Sequence, residues 1–273
     1  LDTWFSSALW PFATLGWPLD EARGKPLDEA KGKQSDLKTY YPTDFITSGR
    51  DIRDIWIAKM IFSGIEFMGK SPFKTAHIHA TVLNKEGKRM SKSLSTGVDP
   101  LNLIEKYGAD ATRFGMIYQN LGNQDIRFNE DTMLTGKKFC NKIWNASRFV
   151  LQNANSKFKI QNSKLQFKNK NLTEADKKIL KDLEKIIKEV SDKIEKYEFG
   201  QALHKLYDFF WHDFCDIYIE KSKKQASENT SIILFYVLSN SLKLLHPFLP
   251  FITEEIWNSF NEKKLLLVED WPR

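Results

Sequence analysis

The chain has 273 residues, 41% hydrophobic and 28% charged, with a net charge of +6 and eight Trp and twenty Phe, an ordinary globular balance for one or two domains with a sizeable core. No apolar run approaches the ~20 residues needed to cross a bilayer, and no export signal opens the chain. Cys140 and Cys215 lie too far apart for zinc-type spacing or a disulfide framework, so a reducing cytoplasm is expected. From the N-terminus, Leu19–Pro26 (LDEARGKP) is repeated as Leu27–Gln34 (LDEAKGKQ), a charged tandem duplication. It has too little apolar surface to offset its ordering entropy, so residues 19–38 are expected to be a disordered insertion. Asp44–Thr47 reads as a buried strand end. Ile52–Phe67 reads as a helix with an apolar stripe of Ile52, Ile55, Trp56, Lys59, Met60 and Ile65. Ala76–Leu83 alternates as a strand, and Asn84–Gly97 is a polar loop punctuated by Gly87 and Gly97.

Asp99-Pro100 signals a helix start, with Asp as N-cap, Pro at the first helical position and Gly108 past the end; Asp110 is expected to cap the next helix. A functional loop after a strand, in strand–helix–strand order, suggests a doubly wound sheet whose ligands bind beyond the strand carboxyl ends. From Glu130 onward the pattern is helical. Met133, Cys140, Ile143, Trp144 and Val150 share one face, and Trp144 is expected in the core rather than as a base-stacking platform. Residues 153–172 read as a loop insertion. Thr173 and Asp176 form a capping box before a stripe of Ile179, Leu183, Ile186, Val190 and Ile194. Further stripes are Leu203, Leu206, Phe210, Phe214 and Ile217, then Ile233, Leu238, Leu242 and Leu245. Pro247 and Pro250 end that helix and Thr253 starts a last short one. The expected division is an α/β segment over 1–128 and a helical bundle over 129–273.

Two segments carry chemistry. Lys88-Arg89-Met90-Ser91-Lys92-Ser93 offers hydroxyls and cations on a loop, suited to gripping phosphates and to meeting charge on a departing pyrophosphate. Such basic, Ser-rich loops are also common as plain exposed loops, and no Walker-type Gly-rich loop accompanies this one. Between Thr132 and Thr173 there is no Asp or Glu, while nine Lys and Arg, among them Lys137, Lys138, Lys142 and Arg148, fill the stretch. That excess suits a polyanion and equally a solvated Lys/Asn-rich surface.

Context narrows the choice. R-M-S-K-S resembles the K-M-S-K-S signature of class I aminoacyl-tRNA synthetases, and the resemblance runs on through Val98-Asp99-Pro100 and Tyr107-Gly108-Ala109-Asp110-Ala111. LDTWFSSALWPFATLGWP over 1–18, Trp144-Asn145-Ala146-Ser147-Arg148-Phe149, Phe210–Asp216 (FWHDFCD) and Leu245–Trp257 (LHPFLPFITEEIW) are similar to the valyl branch of that family. The resemblance covers nearly the whole chain except the two insertions. It implies a fold in two parts: the second half of a Rossmann-type catalytic domain, then an α-helical anticodon-binding bundle.

The same resemblance implies an activity, valine activation with ATP and transfer to tRNA(Val), with Mg2+ accompanying ATP, no protein-bound metal and no membrane partner, in a monomer. It also implies roles by position. Lys92 matches the lysine that stabilises the activation transition state. Arg89, Met90, Ser91 and Ser93 complete the ATP-gripping loop, with Arg89 in place of the usual lysine. Gly49 matches a glycine that lets ATP approach the backbone. Asp51 matches the acid that pairs with the substrate ammonium, and Trp4 and Ile52 match the valine pocket; as isolated residues, Trp4 also suits a core and Asp51 a helix N-cap. Lys137, Lys138, Lys142 and Arg148 suit tRNA phosphates.

His77-Ile78-His79-Ala80 does not fit the class's H-I-G-H signature and is better explained by strand alternation. That element and the editing domain are expected elsewhere in a longer protein, since an apolar pocket cannot strongly reject threonine, nearly isosteric with valine. The chain begins at Leu1 without Met and is expected to be incomplete and inactive alone. The rival readings are an isoleucyl enzyme, disfavoured by DTWFSSALWP, and a non-catalytic tRNA-binding module.

Overall fold

A computed structural model describes residues 3–17, 36–90, 97–122, 124–153, 172–225, 228–261 and 264–272. The chain divides into two compact units, Leu1–Thr81 and Val82–Arg273.

In the first unit, α1 (Thr3–Ala13) buries Ala8, Pro11 and Phe12, one face of two turns. The short α2 (Asp36–Tyr40) adds Leu37, which packs with Phe12 and Tyr41. The expected insertion at 19–38 otherwise lies outside the described residues; its last three positions are helical because Leu37 has this core to join.

Strand β1 (Thr43–Gly49) pairs in parallel with β2 (Phe73–His79), Thr47 opposite His77 and Gly49 opposite His79. The strand expected at Asp44–Thr47 is present but largely uncovered, with Phe45 39% exposed. Between the strands the chain makes a 3-10 turn (Arg50–Ile52), a π-helical stretch (Arg53–Ile57) and α3 (Ala58–Met68), closed by Gly69 at φ +70. The buried positions are Ile57, Met60, Ser63 and Gly64, whereas Ile55 and Ile65, expected in the stripe, are 58% and 56% exposed. Bonds running i→i+5 through the π stretch rotate every later side chain away from a 3.6-residue reading.

The strand expected over Ala76–Leu83 is two: β2 ends at His79, and β3 (Val82–Leu83) opens the second unit, pairing in parallel with β4 (Ile126–Arg127). Then α4 (Pro100–Tyr107) begins as expected, the Asp99 carboxylate accepting from Leu101 N at 2.9 Å, and ends at Gly108 with φ +95. Helix α5 (Ala109–Tyr118) is not capped by Asp110, which lies inside its first turn and is buried; its carboxylate serves another helix.

The remaining helices build one large core: α6 (Asp131–Asn153), α7 (Glu174–Glu195), α8 (Phe199–Asp208) running into a π stretch (Phe209–Ile219) and the short α9 (Glu220–Ser222), then α10 (Glu228–Leu245) and α11 (Pro250–Asn258). The capping box at Thr173 and Asp176 is formed, and Asp176, fully buried, also accepts from the Tyr218 hydroxyl at 2.7 Å. The stripe from Ile179 to Val190 is buried as expected, as are Leu203, Leu206, Phe210 and Phe214. Ile217 is 41% exposed, with Tyr218 and Ile219 buried in its place, again because a π stretch shifts the face. Trp144, expected in the core, is 41% exposed: the inward positions of α6 are Met133, Gly136, Phe139, Ile143, Ala146, Ser147 and Val150, and one residue beyond Ile143 turns the side chain outward by about 100°. Helix α11 begins at Pro250, its N1 residue, rather than at Thr253, which is buried within it. The loop expected at 153–172 lies, apart from its end residues, outside the described residues.

Candidate functional sites

In the first unit, candidate residues gather where β1 gives way to the 3-10 turn. Gly49 is extended (φ −75, ψ 153), so its need for glycine is one of space. A Cβ there would lie 2.7 Å from Asp51 Oδ1 and 3.8 Å from His79 Cε1. The turn thus folds the Asp51 carboxylate back over the Gly49 backbone, at a strand carboxyl end where ligands of parallel sheets bind. The histidines belong to the strand: His77 stacks on Phe45 with ring centroids 6.1 Å apart, and the His79 ring lies 2.9 Å from Ala80 O. Burial, then the neighbouring His79, lowers the His77 pKa.

Among α1, β1 and the π stretch lies a mainly apolar cavity of about 400 Å³, lined by Ser7 and Trp10 of α1, Thr43, Phe45, Ile46 and Thr47 of β1, and Trp56 of the π stretch. Trp4, Asp51 and Ile52 do not line it. Trp4 is 41% exposed on α1 with Lys59 Nζ 4.2 Å above its ring, and Ile52 is half-buried. Trp10 and Trp56 line the cavity, whereas the sequence placed Trp56 in a helical stripe and gave Trp10 no separate role. Trp10 shares a helix with Trp4, and Trp56 lies one π turn after Ile52, the only signals that pointed to them.

In the second unit the basic loop leaves from a hairpin. Asn84 N donates to Lys88 O at 2.8 Å, Lys88 N donates to Asn84 Oδ1 at 2.7 Å, Gly87 turns the chain at φ +78, and Leu83 bridges back to Arg89. Only the left-handed conformation closes this turn, and a side chain at position 87 would also meet the Arg127 guanidinium at 3.2 Å. Met90 is half-buried against Leu103, Phe128 and Met133. The loop is therefore anchored through Met90 just before Ser91, Lys92 and Ser93, which lie outside the described residues.

The four bundle cations all lie on α6 but do not act alike. Lys137, Lys138 and Arg148 are exposed, with Lys137 Nζ 3.4 Å from Lys106 O. Lys142 pairs with Asp216 at 2.7 Å and lies 5.1 Å over the Trp211 ring. Among the described residues no cluster of His, Cys, Asp and Glu is arranged to hold a metal, and no helix is long and apolar enough to cross a membrane.

A parallel strand pair with an acid at its carboxyl end, an anchored basic loop and a following helical bundle define a class. The family model for class I tRNA synthetases (I, L, M and V) matches residues 1–129, and that for the anticodon-binding domain of tRNA ligase matches 176–273. Over residues 1–129 the chain is thus similar to the class I tRNA synthetases. Within them, it is similar along its whole length to valine–tRNA ligases: 49% identical to that of Clostridium tetani, 45% to that of Bacillus anthracis and 43% to that of Bacillus subtilis. It spans about 30% of the length of these relatives. Among solved structures it resembles the LeuRS of Agrobacterium radiobacter K84, in a ternary complex with tRNA and LeuAMS (TM-score 0.79, 21% identity, 99% of this chain and 32% of that one). It also resembles Mycobacterium tuberculosis methionyl-tRNA synthetase in complex with methionyl-adenylate (TM-score 0.70, 18% identity, 93% and 49%). At these identities the two likenesses concern the fold.

Proposed function

We propose that the protein containing this chain activates valine with ATP and transfers it to tRNA(Val). The observation that carries this reading is the 43–49% identity to valine–tRNA ligases over the full chain. In the activation step a valine carboxylate oxygen attacks the α-phosphorus of ATP, and the bond to the bridging oxygen breaks to release pyrophosphate. Lys92, with Arg89, Ser91 and Ser93 on the loop anchored by Met90, meets the charge gathering on the departing pyrophosphate. Magnesium arrives with ATP as part of the substrate. Gly49 leaves the backbone open to the nucleotide, Asp51 pairs with the valine ammonium, and Trp4 and Ile52 bound its side chain. Lys137, Lys138 and Arg148 face the tRNA backbone, while Lys142 is held by Asp216.

The test is amino-acid-dependent exchange of pyrophosphate into ATP by the full-length protein, followed by charging of tRNA(Val). Exchange driven by valine well above isoleucine is the expected result. Isoleucine as the better substrate would instead establish the isoleucyl reading, and tRNA binding without any exchange would establish a non-catalytic tRNA-binding module.

A further inference from the structure

The outward face of α6 is more than a row of lysines. Lys137, Asn141, Trp144 and Arg148 follow one another at spacings of four, three and four, so they form one stripe along the helix, about 16 Å long. All four are exposed, and the opposite face, through Phe139, Ile143, Ala146 and Val150, is locked into the bundle core. The order along the stripe is cation, amide, indole, cation, and from Thr132 to the end of the helix there is no acid to neutralise it.

Trp144 differs from the other tryptophans of its unit. Trp211 stacks near Tyr207 and Phe139 beneath Lys142, Trp257 is 1% exposed, and Trp271 donates to the Ser191 hydroxyl at 2.8 Å. Trp144 is 41% exposed and, among the described residues, makes no ring, cation or hydrogen-bond contact. An indole exposed between two cations matches a nucleobase, whose flat face stacks on it while the flanking phosphates meet the cations. An acidic protein surface would satisfy Lys137 and Arg148 but has no flat partner for the ring. Lys142 lies off this stripe and is held by Asp216.

We propose that Trp144 is a base-stacking platform on an RNA-docking face of α6, with Lys137 and Arg148 as its phosphate contacts and Lys142 outside it. The proposal rests on the reading that the bundle binds tRNA.

The experiment uses the full-length protein and unmodified tRNA(Val) transcript, with affinity measured across a range of salt and valine-dependent pyrophosphate exchange measured without tRNA as the control. Trp144→Ala is expected to weaken binding roughly tenfold or more with an unchanged salt slope, and Trp144→Phe to keep most of the affinity. Lys137→Gln with Arg148→Gln is expected to flatten the salt dependence, and Lys142→Gln to leave it in place. Exchange without tRNA should be unchanged in all of them. Wild-type affinity in Trp144→Ala, with the double variant still weakened, overturns the stacking role alone. Wild-type affinity and slope in the double variant removes RNA from this face altogether. Loss of exchange activity or thermal stability in Trp144→Ala shows that the indole packs against another part of the protein and overturns the proposal.

Discussion

The Asp110 carboxylate caps a helix that begins far along the chain: its Oδ2 accepts from the backbone N–H of Ile252, 142 residues later, at 2.7 Å, and its Oδ1 from Phe251 N at 3.3 Å. These are the second and third residues of α11, whose own N-cap is Leu249 and supplies no side-chain acceptor. One turn along α5, Arg113 donates to the carbonyls of Pro247 and Phe248 at 2.8 and 3.3 Å. A single helix thus satisfies both donors and acceptors of the L-H-P-F-L-P-F-I segment.

Removing that cap should be costly, and its charge state should be readable in pH. Asp110→Ala removes the cap from two part-buried N–H groups and is expected to lower stability by about 0.5–2 kcal/mol. Asp110→Asn keeps an acceptor and should cost less. Burial is the largest influence on the Asp110 carboxyl and raises its pKa; the bonds from Ile252 and Phe251 and the Arg113 and His246 charges offset this in part. The folded state therefore holds this proton more firmly than the unfolded state, and the contribution to stability falls as pH rises from the ordinary carboxyl value through the raised one. Urea denaturation at constant ionic strength across that window should show the fall in the wild type and a flatter profile in Asp110→Asn. Equal slopes would mean the carboxyl is not the titrating group.

Gly49 and Asp51 should behave as one device. Alanine is compatible with φ −75 at position 49, so Gly49→Ala should barely change the melting temperature. Its Cβ cannot occupy a point 2.7 Å from Asp51 Oδ1, so the carboxylate must move. In the full-length protein the KM for valine is expected to rise about tenfold, the scale of one weakened charge-assisted bond. The same substitution made on Asp51→Ala should add little, because the group it displaces is gone. Additive losses would separate the two residues.

The two thiols should be inert in the folded protein. Burial pushes both Cys140 and Cys215 up to about 12, far from the thiolate form that reacts. Alkylation at mildly alkaline pH followed by peptide mass spectrometry should find both unmodified until denaturant is added. Prompt native labelling of Cys215, 5% exposed, would show that the π stretch opens.

How legible this molecule was depends on how local each feature is. The Thr173–Asp176 box and the Ile179–Val190 stripe lie within one regular helix and follow from spacing alone, as does the Asp99-Pro100 start. Ile55, Ile65 and Ile217 went astray because π turns add a residue to the repeat, and apolar residues on several faces mask the shift. Asp110 carries the signature of a local cap, but its partners lie 142 residues away, which no window reveals. Of the candidate features, the basic loop was legible as a motif and Asp51 only through the family resemblance. The cavity was not, since Trp10, Ile46 and Trp56 come from three separate elements.

That cavity supplies a test of the proposed side-chain pocket. Ile52 lies next to Asp51 on the 3-10 turn but does not line the space bounded by Trp10, Ile46 and Trp56. On the proposed reading, with the ammonium at Asp51, Ile52 bounds the side chain. An apolar wall excludes a larger substrate by overlap and gains about 1–3 kcal/mol per methylene. Ile52→Ala is then expected to narrow the valine-to-isoleucine ratio of kcat/KM at least tenfold, with modest loss for valine. Asp51→Ala should weaken valine, isoleucine and threonine alike, because the ammonium is common to all three. Trp56→Ala supplies the contrast. It should shift the ratio only if the substrate side chain reaches the cavity. Pyrophosphate-exchange kinetics of the full-length variants with the three amino acids decide among these. An unchanged ratio in Ile52→Ala with a collapsed ratio in Trp56→Ala would move the side-chain pocket from the turn into the cavity, and an unchanged ratio in both would place it outside this segment.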